Sequence, residues 1–280
     1  MNKILLVGDG LNSNLNTLDF ACYLAKLTHS RLFAIIVEEL VAERETAPKQ
    51  MEGANVLESV PNPGLTEGKD RSFHPYKNES LFEMACSNRG VNAKIIRVNE
   101  PSVSSIIEES RYADLLIINA DASFQGRPEG TPSPFVKEIL AGSECAVVLA
   151  PYSFYGVDEI LFTYDGSKSS VYAIKQFAYL FPELKDRKAT IMQINEDDSA
   201  AAFEITKVRE LLKSHFSNLD FQFLKGKPAD ELFGFLLGKK NLFVVMGAFG
   251  RGLLSNLLKP SAANLVVKAI NLPVFIAHLQ

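Results

Sequence analysis

The sequence predicts an α/β protein made of two doubly wound parallel-sheet units in tandem. Three observations predict it. First, Leu5-Leu6-Val7-Gly8-Asp9-Gly10-Leu11-Asn12-Ser13 aligns with Leu161-Phe162-Thr163-Tyr164-Asp165-Gly166-Ser167-Lys168-Ser169 at an offset of 156 positions. Second, Cys145-Ala146-Val147-Val148-Leu149-Ala150 aligns with Pro273-Val274-Phe275-Ile276-Ala277-His278 at an offset of 128. Third, apolar runs short enough for strands alternate with helical patterns through short connections, the arrangement of a parallel sheet with right-handed crossovers. Residues 1–152 and 153–280 are therefore expected to be two copies of one domain.

In the first copy, Lys3 to Val7 is apolar without polar alternation, as a strand covered on both faces requires. Ser13 or Asn14 can cap a following helix whose apolar stripe includes Leu18, Cys22, Ala25 and Leu27. Arg31 to Val37 reads as the second strand. Ala42 to Asn78 is polar, bears Pro48, Gly53, Pro61, Pro63, Gly64 and Gly68, and reads as a long inserted loop with a short helical piece near Met51–Ser59. The order resumes with a helix over Glu79–Asn88, a strand over Ala93–Val98 and a helix over Ser102–Glu109. A strand over Asp114–Asn119, a helix over Ser133–Leu140 and a strand over Ala146–Ala150 complete the copy. The second copy has strands at Glu159–Tyr164, Ala189–Ile194, Phe221–Leu224, Leu242–Met246 and Val274–Ala277, and helices near Ser169–Phe181, Ala201–Phe216, Ala229–Leu237 and Ala262–Ala269. The two offsets differ by 28 residues, the surplus of the first copy, most of which belongs to the 42–78 insertion. Pro101 and Pro228 each open a helix directly after a strand, where the missing N–H costs nothing.

Composition excludes several classes. A chain of 280 residues with 47% hydrophobic and 22% charged residues is globular rather than disordered. Its net charge of −4 gives no general attraction to nucleic acid or to an anionic membrane. No apolar run approaches the roughly 18 residues of a spanning helix, and Met1-Asn2-Lys3 leads straight into a strand, which is no signal peptide. Cys22, Cys86 and Cys145 lie far apart in apolar context and read as reduced core thiols of a cytoplasmic protein. Phe177, Phe181, Phe233 and Phe235 fall where helices pack on the sheet and are assigned to core. No nucleophile elbow, Walker loop, H-E-x-x-H or C-x-x-C is present, and Glu196-Asp197-Asp198 reads as a solvated acidic turn rather than a metal site. No catalytic residue and no metal is therefore expected; a slow ATP hydrolase ranks last because no base is visible.

Ligands of doubly wound sheets sit beyond the carboxyl ends of the strands, where the strand order reverses. In the second copy this places Asp165 and the loop Met246-Gly247-Ala248-Phe249-Gly250-Arg251-Gly252 in one crevice, followed by Pro260-Ser261 at the start of the last helix. Gly247 and Gly250 let backbone approach a ligand, and a helix N-terminus carrying Ser261 favours a phosphate. Asp165 can accept from an adenine amino group or a ribose hydroxyl, although Asp-Gly after a strand also simply makes a turn. Lys259 and Arg251 read as solvated surface residues.

The Asp-Gly-Ser strand end, the Met-Gly-x-x-Gly-Arg loop, nine further residues to a small-Ser pair, and the final Pro-Val strand resemble the universal stress protein family, once per half. The resemblance implies two universal-stress-protein-like (adenine nucleotide alpha hydrolase-like) domains packed as an intramolecular pseudo-dimer, their last strands meeting. It also implies a stress-response role, an adenine nucleotide such as ATP or AMP, and no catalytic residues. Carried over by position, Thr163, Tyr164 and Asp165 would face the adenine and Ile194 would line it. Met246 and Gly247 would sit beside the ribose and α-phosphate, with Gly250, Ser261 and Ala262 around the remaining phosphates. Pro260 departs from the glycine of ATP-binding members and weakens the phosphate end. In the first half, Asp9 and Pro132-Ser133 remain, but Asn119 to Gly130 has no GxxG and carries Asp121 and Glu129. That site reads as degenerate, with the 42–78 loop either covering it or forming a surface excursion. The alternative to a nucleotide-responsive protein is an interaction or scaffold protein with both sites decayed. A protein partner of unknown identity and a further homodimer stay open.

Overall fold

The computed structural model describes residues 1–8, 15–36, 75–98, 102–123, 130–195, 202–247 and 271–277. The first half runs β1 (Lys3–Gly8), α1 (Leu15–Leu27), β2 (Arg31–Ile36), α2 (Pro75–Asn88), β3 (Ala93–Ile95), α3 (Val103–Ser110), β4 (Leu115–Asn119), α4 (Pro134–Gly142) and β5 (Ala146–Ala150). The second runs β6 (Glu159–Thr163), α5 (Lys168–Leu180), β7 (Lys188–Asn195), α6 (Ala202–Lys213), β8 (Asn218–Lys225), α7 (Pro228–Leu236), β9 (Leu242–Gly247) and β10 (Val274–Ala277). The expected 42–78 insertion falls outside the described residues up to position 74, as do the 51–59 helical piece and the 262–269 helix.

The strands form one sheet in the order β3-β2-β1-β4-β5-β10-β9-β6-β7-β8. Each half has the same internal order, with the first strand in the middle, and every pairing within a half is parallel. The halves join where β5 and β10 pair antiparallel, Val274 opposite Leu149, Phe275 opposite Val148 and Ile276 opposite Val147. The last strands therefore meet as expected. Two closing strands of nearly uninterrupted apolar residues leave no solvent-facing side, so pairing them removes two sheet edges at once.

Two strands differ from the sequence reading. β8 extends to Asn218–Lys225 rather than Phe221–Leu224, because it pairs with β7 along its whole length as an edge strand; its exposed polar residues hide it from an apolar criterion. β3 stops at Ile95 rather than Val98.

Two apolar layers enclose the sheet. One lies under α1, α2, α5 and α6, the other under α3, α4 and α7. The first layer runs unbroken across both halves and centres on Phe177, whose ring lies 5.6 Å from Phe162, 4.8 Å from Phe181, 5.1 Å from Phe243 and 5.3 Å from Phe275. Phe177 and Phe181 are core, as expected; Phe233 and Phe235 are only half-buried, flanking the second layer. The connecting segment after β5 belongs to this joint. Phe154 packs on Phe20 and Tyr23 of α1 at 4.9 and 4.8 Å, and the Ser153 amide donates to Asn271 Oδ1 at 2.9 Å, just before β10.

Candidate functional site

In the second half the strand order reverses between β6 and β9, so the crevice predicted for this sheet class opens at their carboxyl ends. Thr163 ends β6. Its buried hydroxyl donates to the carbonyl of Val245 on β9 at 3.1 Å, bracing the two strands where the main-chain ladder stops. The next amide, Tyr164, donates to Met192 O on β7 at 2.8 Å. The chain then turns through Asp165, whose Oδ1 accepts from the Ser167 amide at 2.9 Å, and through Gly166 at φ +76°. Ser167 caps α5 by accepting from the Ser170 amide at 3.1 Å. Asp165 thus makes the tight turn and remains exposed at the mouth of the crevice.

Ile194 at the end of β7 and Met246 at the end of β9 are both buried, and share one apolar cluster beneath α7. Gly247 closes β9 against the first turn of α5. A Cβ there would stand 2.5 Å from the Ser169 carbonyl carbon, 2.6 Å from the Ser170 nitrogen and 2.8 Å from the Ser169 oxygen. No side chain fits, so the glycine permits strand–helix contact whatever else it does.

The sequence-predicted residues thus separate. Thr163, Asp165, Met246 and Gly247 gather at the ends of the two switch-point strands, and Ile194 ends the neighbouring β7. Tyr164, by the alternation of side chains along β6, lies on the opposite sheet face, in the layer under α5 and α6. Gly250, Ser261 and Ala262 lie outside the described residues, as do Pro260 and 196–198. Among the described residues, no three His, Cys, Asp or Glu side chains are grouped to hold a metal.

In the first half, Thr17 on α1 donates to Asn119 Oδ1 at the end of β4, at 2.7 Å. The Ser133 amide donates to Ala120 O at 2.9 Å, and its hydroxyl donates to Ala122 O while accepting from the Val136 amide at 3.1 Å. Ser133, fully buried, spends its hydroxyl capping α4 and pinning the 119–123 turn to it. Tyr152 from the connecting segment joins Asp121 and Thr131; burial, then the Asp121 charge, push its hydroxyl up to about 12.

No protein-family model matches the sequence, and no curated protein does. Solved structures do. A universal stress protein from Archaeoglobus fulgidus matches with a TM-score of 0.65 at 16% identity, over 99% of this chain and 96% of that one. A putative universal stress protein from Pseudomonas aeruginosa matches with a TM-score of 0.56 at 17% identity, over 99% and 93%. A functionally unknown protein, also from Pseudomonas aeruginosa, matches with a TM-score of 0.56 at 18% identity, over 99% and 92%. This is the tandem universal stress protein fold.

Within that fold, sequence reading missed one feature of the second half. On the α5/α6 face, a cavity of about 450 Å³ is lined by Tyr164, Ser167, Lys168, Tyr172, Lys175 and Lys207, among others, with no carboxylate among the described residues that line it. Gln193 of β7 faces the same layer; it is 7% exposed and its Oε1 has no hydrogen-bond partner among the described residues. Lysines on helix surfaces read as solvated, and only the seven-residue spacing of Lys168 and Lys175 along α5 could have hinted at one face.

Proposed function

We propose that this universal stress protein acts in the cytoplasm as a stress-response regulator. In this reading its second half holds an adenine nucleotide, ATP or AMP, as a regulatory ligand rather than as a substrate. The observation that carries this reading is the exposed Asp165 carboxylate at the switch point. Only its Oδ1 is engaged, in the turn to Ser167, and Oδ2 faces no protein donor among the described residues. An adenine amino group or a ribose hydroxyl is the donor such an oxygen would meet. Thr163, Ile194, Met246 and Gly247 would form the wall beside it, with Gly250, Ser261 and Ala262 toward the phosphates. Because Pro260 offers no N–H, the site would favour AMP over ATP. No residue is proposed as catalytic.

A second reading, a scaffold without ligand, is favoured for the first half. There Ser133 is already bonded to Ala122 O and the Val136 amide, and Tyr152 to Asp121 and Thr131. Calorimetric titration of the full chain with AMP, ADP and ATP separates the readings. One site per chain, weakened at least about tenfold in Asp165→Asn, supports the nucleotide site; the asparagine keeps the turn's acceptor and removes the charge. No heat at millimolar nucleotide from a folded protein leaves the scaffold reading alone.

A further inference from the structure

Cys22 on α1 and Cys86 on α2 are 2% and 0% exposed and belong to one apolar cluster. Residues 64 positions apart in sequence, read as separate core thiols, are brought into contact by the packing of α2 beside α1, with their side chains hydrogen-bonded to one another. Cys22 also reaches the floor of a surface groove, where Asp19, Lys26 and Arg89 surround it; Arg89 Nε donates to Asp19 Oδ1 across the opening. Glu83 faces the pair from α2.

The two sulfurs are also unequal. The hydrogen bond from Cys86, and then the Arg89 and Lys26 charges, hold the Cys22 thiol below the usual cysteine range against burial and Asp19. Cys86 is pushed up by the same hydrogen bond and by burial. Cys22, which lines the groove beside Lys26 and Arg89 where Cys86 does not, is the sulfur a peroxide meets first, and Cys86 is the partner behind it.

We propose that Cys22 and Cys86 are a hydroperoxide-responsive dithiol, in which Cys22 is oxidised first and Cys86 resolves it into a disulfide joining α1 to α2. The Cys22 thiolate attacks the hydroperoxide. An S–O bond forms as the O–O bond breaks, the alkoxide leaves and takes a proton as alcohol, and Cys22 becomes a sulfenic acid. Cys86 sulfur then attacks Cys22 sulfur. The S–S bond forms as the S–O bond breaks, and the Cys86 proton leaves with the hydroxide as water. The balance is two thiols and one hydroperoxide to one disulfide, one alcohol and one water. In a reducing compartment such a pair serves sensing rather than architecture.

The test is peptide mapping of the reduced, folded full chain after exposure to cumene hydroperoxide, with remaining thiols alkylated. The expected product is a Cys22–Cys86 crosslinked peptide, reversed by dithiothreitol. Cys145, which burial pushes up to about 12, stays alkylatable. In Cys86→Ser the expected product is a dimedone adduct at Cys22, formed at least about tenfold faster than any at Cys145. In Cys22→Ser, Cys86 stays unmodified. Absence of the crosslink in the folded parent, or oxidation of Cys145 before Cys22, overturns the proposal. So does a Cys86→Ser protein that circular dichroism shows to be folded but that gives no adduct at Cys22.

Discussion

Gly247→Ala is the substitution whose cost the structure constrains most tightly. The added Cβ would stand 2.5–2.8 Å from three backbone atoms of Ser169 and Ser170, whereas non-bonded carbon contacts rest near ~3.5–4 Å. Neither neighbour is a side chain that can rotate away, so the first turn of α5 or the end of β9 must move by about 1 Å. α5 cannot shift alone, because it carries Ala173, Ile174 and Phe177 into the layer shared with Phe243 and Phe275. Overpacking a fitted core costs about 1–3 kcal/mol, and the rigidity of these neighbours places this case at about 2–3. For a chain of this size that corresponds to a melting-temperature loss of about 3–5 °C. The assay is a calorimetric melt without nucleotide, beside Gly234→Ala as control. Gly234 sits within α7 with open space where a Cβ would go, and alanine there gains about 0.5–1 kcal/mol of helix stability. If Gly247→Ala melts with the parent while Gly234→Ala rises, the strand–helix contact is not what requires the glycine, and this reasoning fails.

Three further outcomes are expected. Phe177→Ala removes a fully buried ring touching four others and lowers stability by about 3–5 kcal/mol in urea; a loss below about 2 would mean the cluster collapses around the gap. Ser133→Ala loses the α4 cap and leaves Ala122 O without its buried donor, costing about 1–3 kcal/mol, whereas Ser133→Thr keeps the hydroxyl and recovers part of it. Tyr152, at about 12 in the fold against an ordinary 10, keeps its proton where the unfolded chain loses it, so its contribution is complete below pH 10 and falls away toward pH 12. Urea midpoints across that range should decline less steeply in Tyr152→Phe. The residual slope includes that of Cys145, raised by burial from 9 to about 12; parallel slopes in parent and variant would contradict the assignment.

Much of the fold was legible because its signals are local. A parallel strand covered on both faces is an apolar run, and the runs Ile4–Val7, Ile160–Phe162 and Leu242–Met246 needed no partner to be recognised. The two closing strands were legible for the same reason, whereas their meeting was implied only by the family resemblance. β8 was only half legible, since an edge strand owes its extent to pairing with β7 rather than to apolar side chains. The site was legible as positions more than as roles. Asp165 and Gly247 stand at the switch point, yet the glycine's contact with Ser169 and the Thr163 brace to Val245 are tertiary facts with no sequence signature. The same holds for Cys22 and Cys86, which become neighbours only once α2 lies beside α1.

The closed strand ends of the first half have a physical logic. Both halves have the same strand order, so both present a switch-point crevice with polar main-chain groups that need partners. The first half supplies them from its own chain: Asn119 takes the Thr17 hydroxyl, Ser133 bridges Ala122 O and the Val136 amide, and Tyr152 seats over Asp121 and Thr131. A ligand entering there would have to break these bonds before making any of its own. At the end of β6 the described partners are also intramolecular: Thr163 donates to Val245 O, the Tyr164 amide to Met192 O, and Asp165 accepts in the turn to Ser167 while staying exposed. The closure of the first half can be probed directly: Tyr152→Ala with Ser133→Gly would remove these intramolecular hydrogen bonds. If self-occupation is what closes the site, calorimetry should then show weak anion binding that the parent lacks, measured with inorganic phosphate. A folded double variant with no binding would show instead that Asp121 keeps the crevice hostile to anions even when it is open.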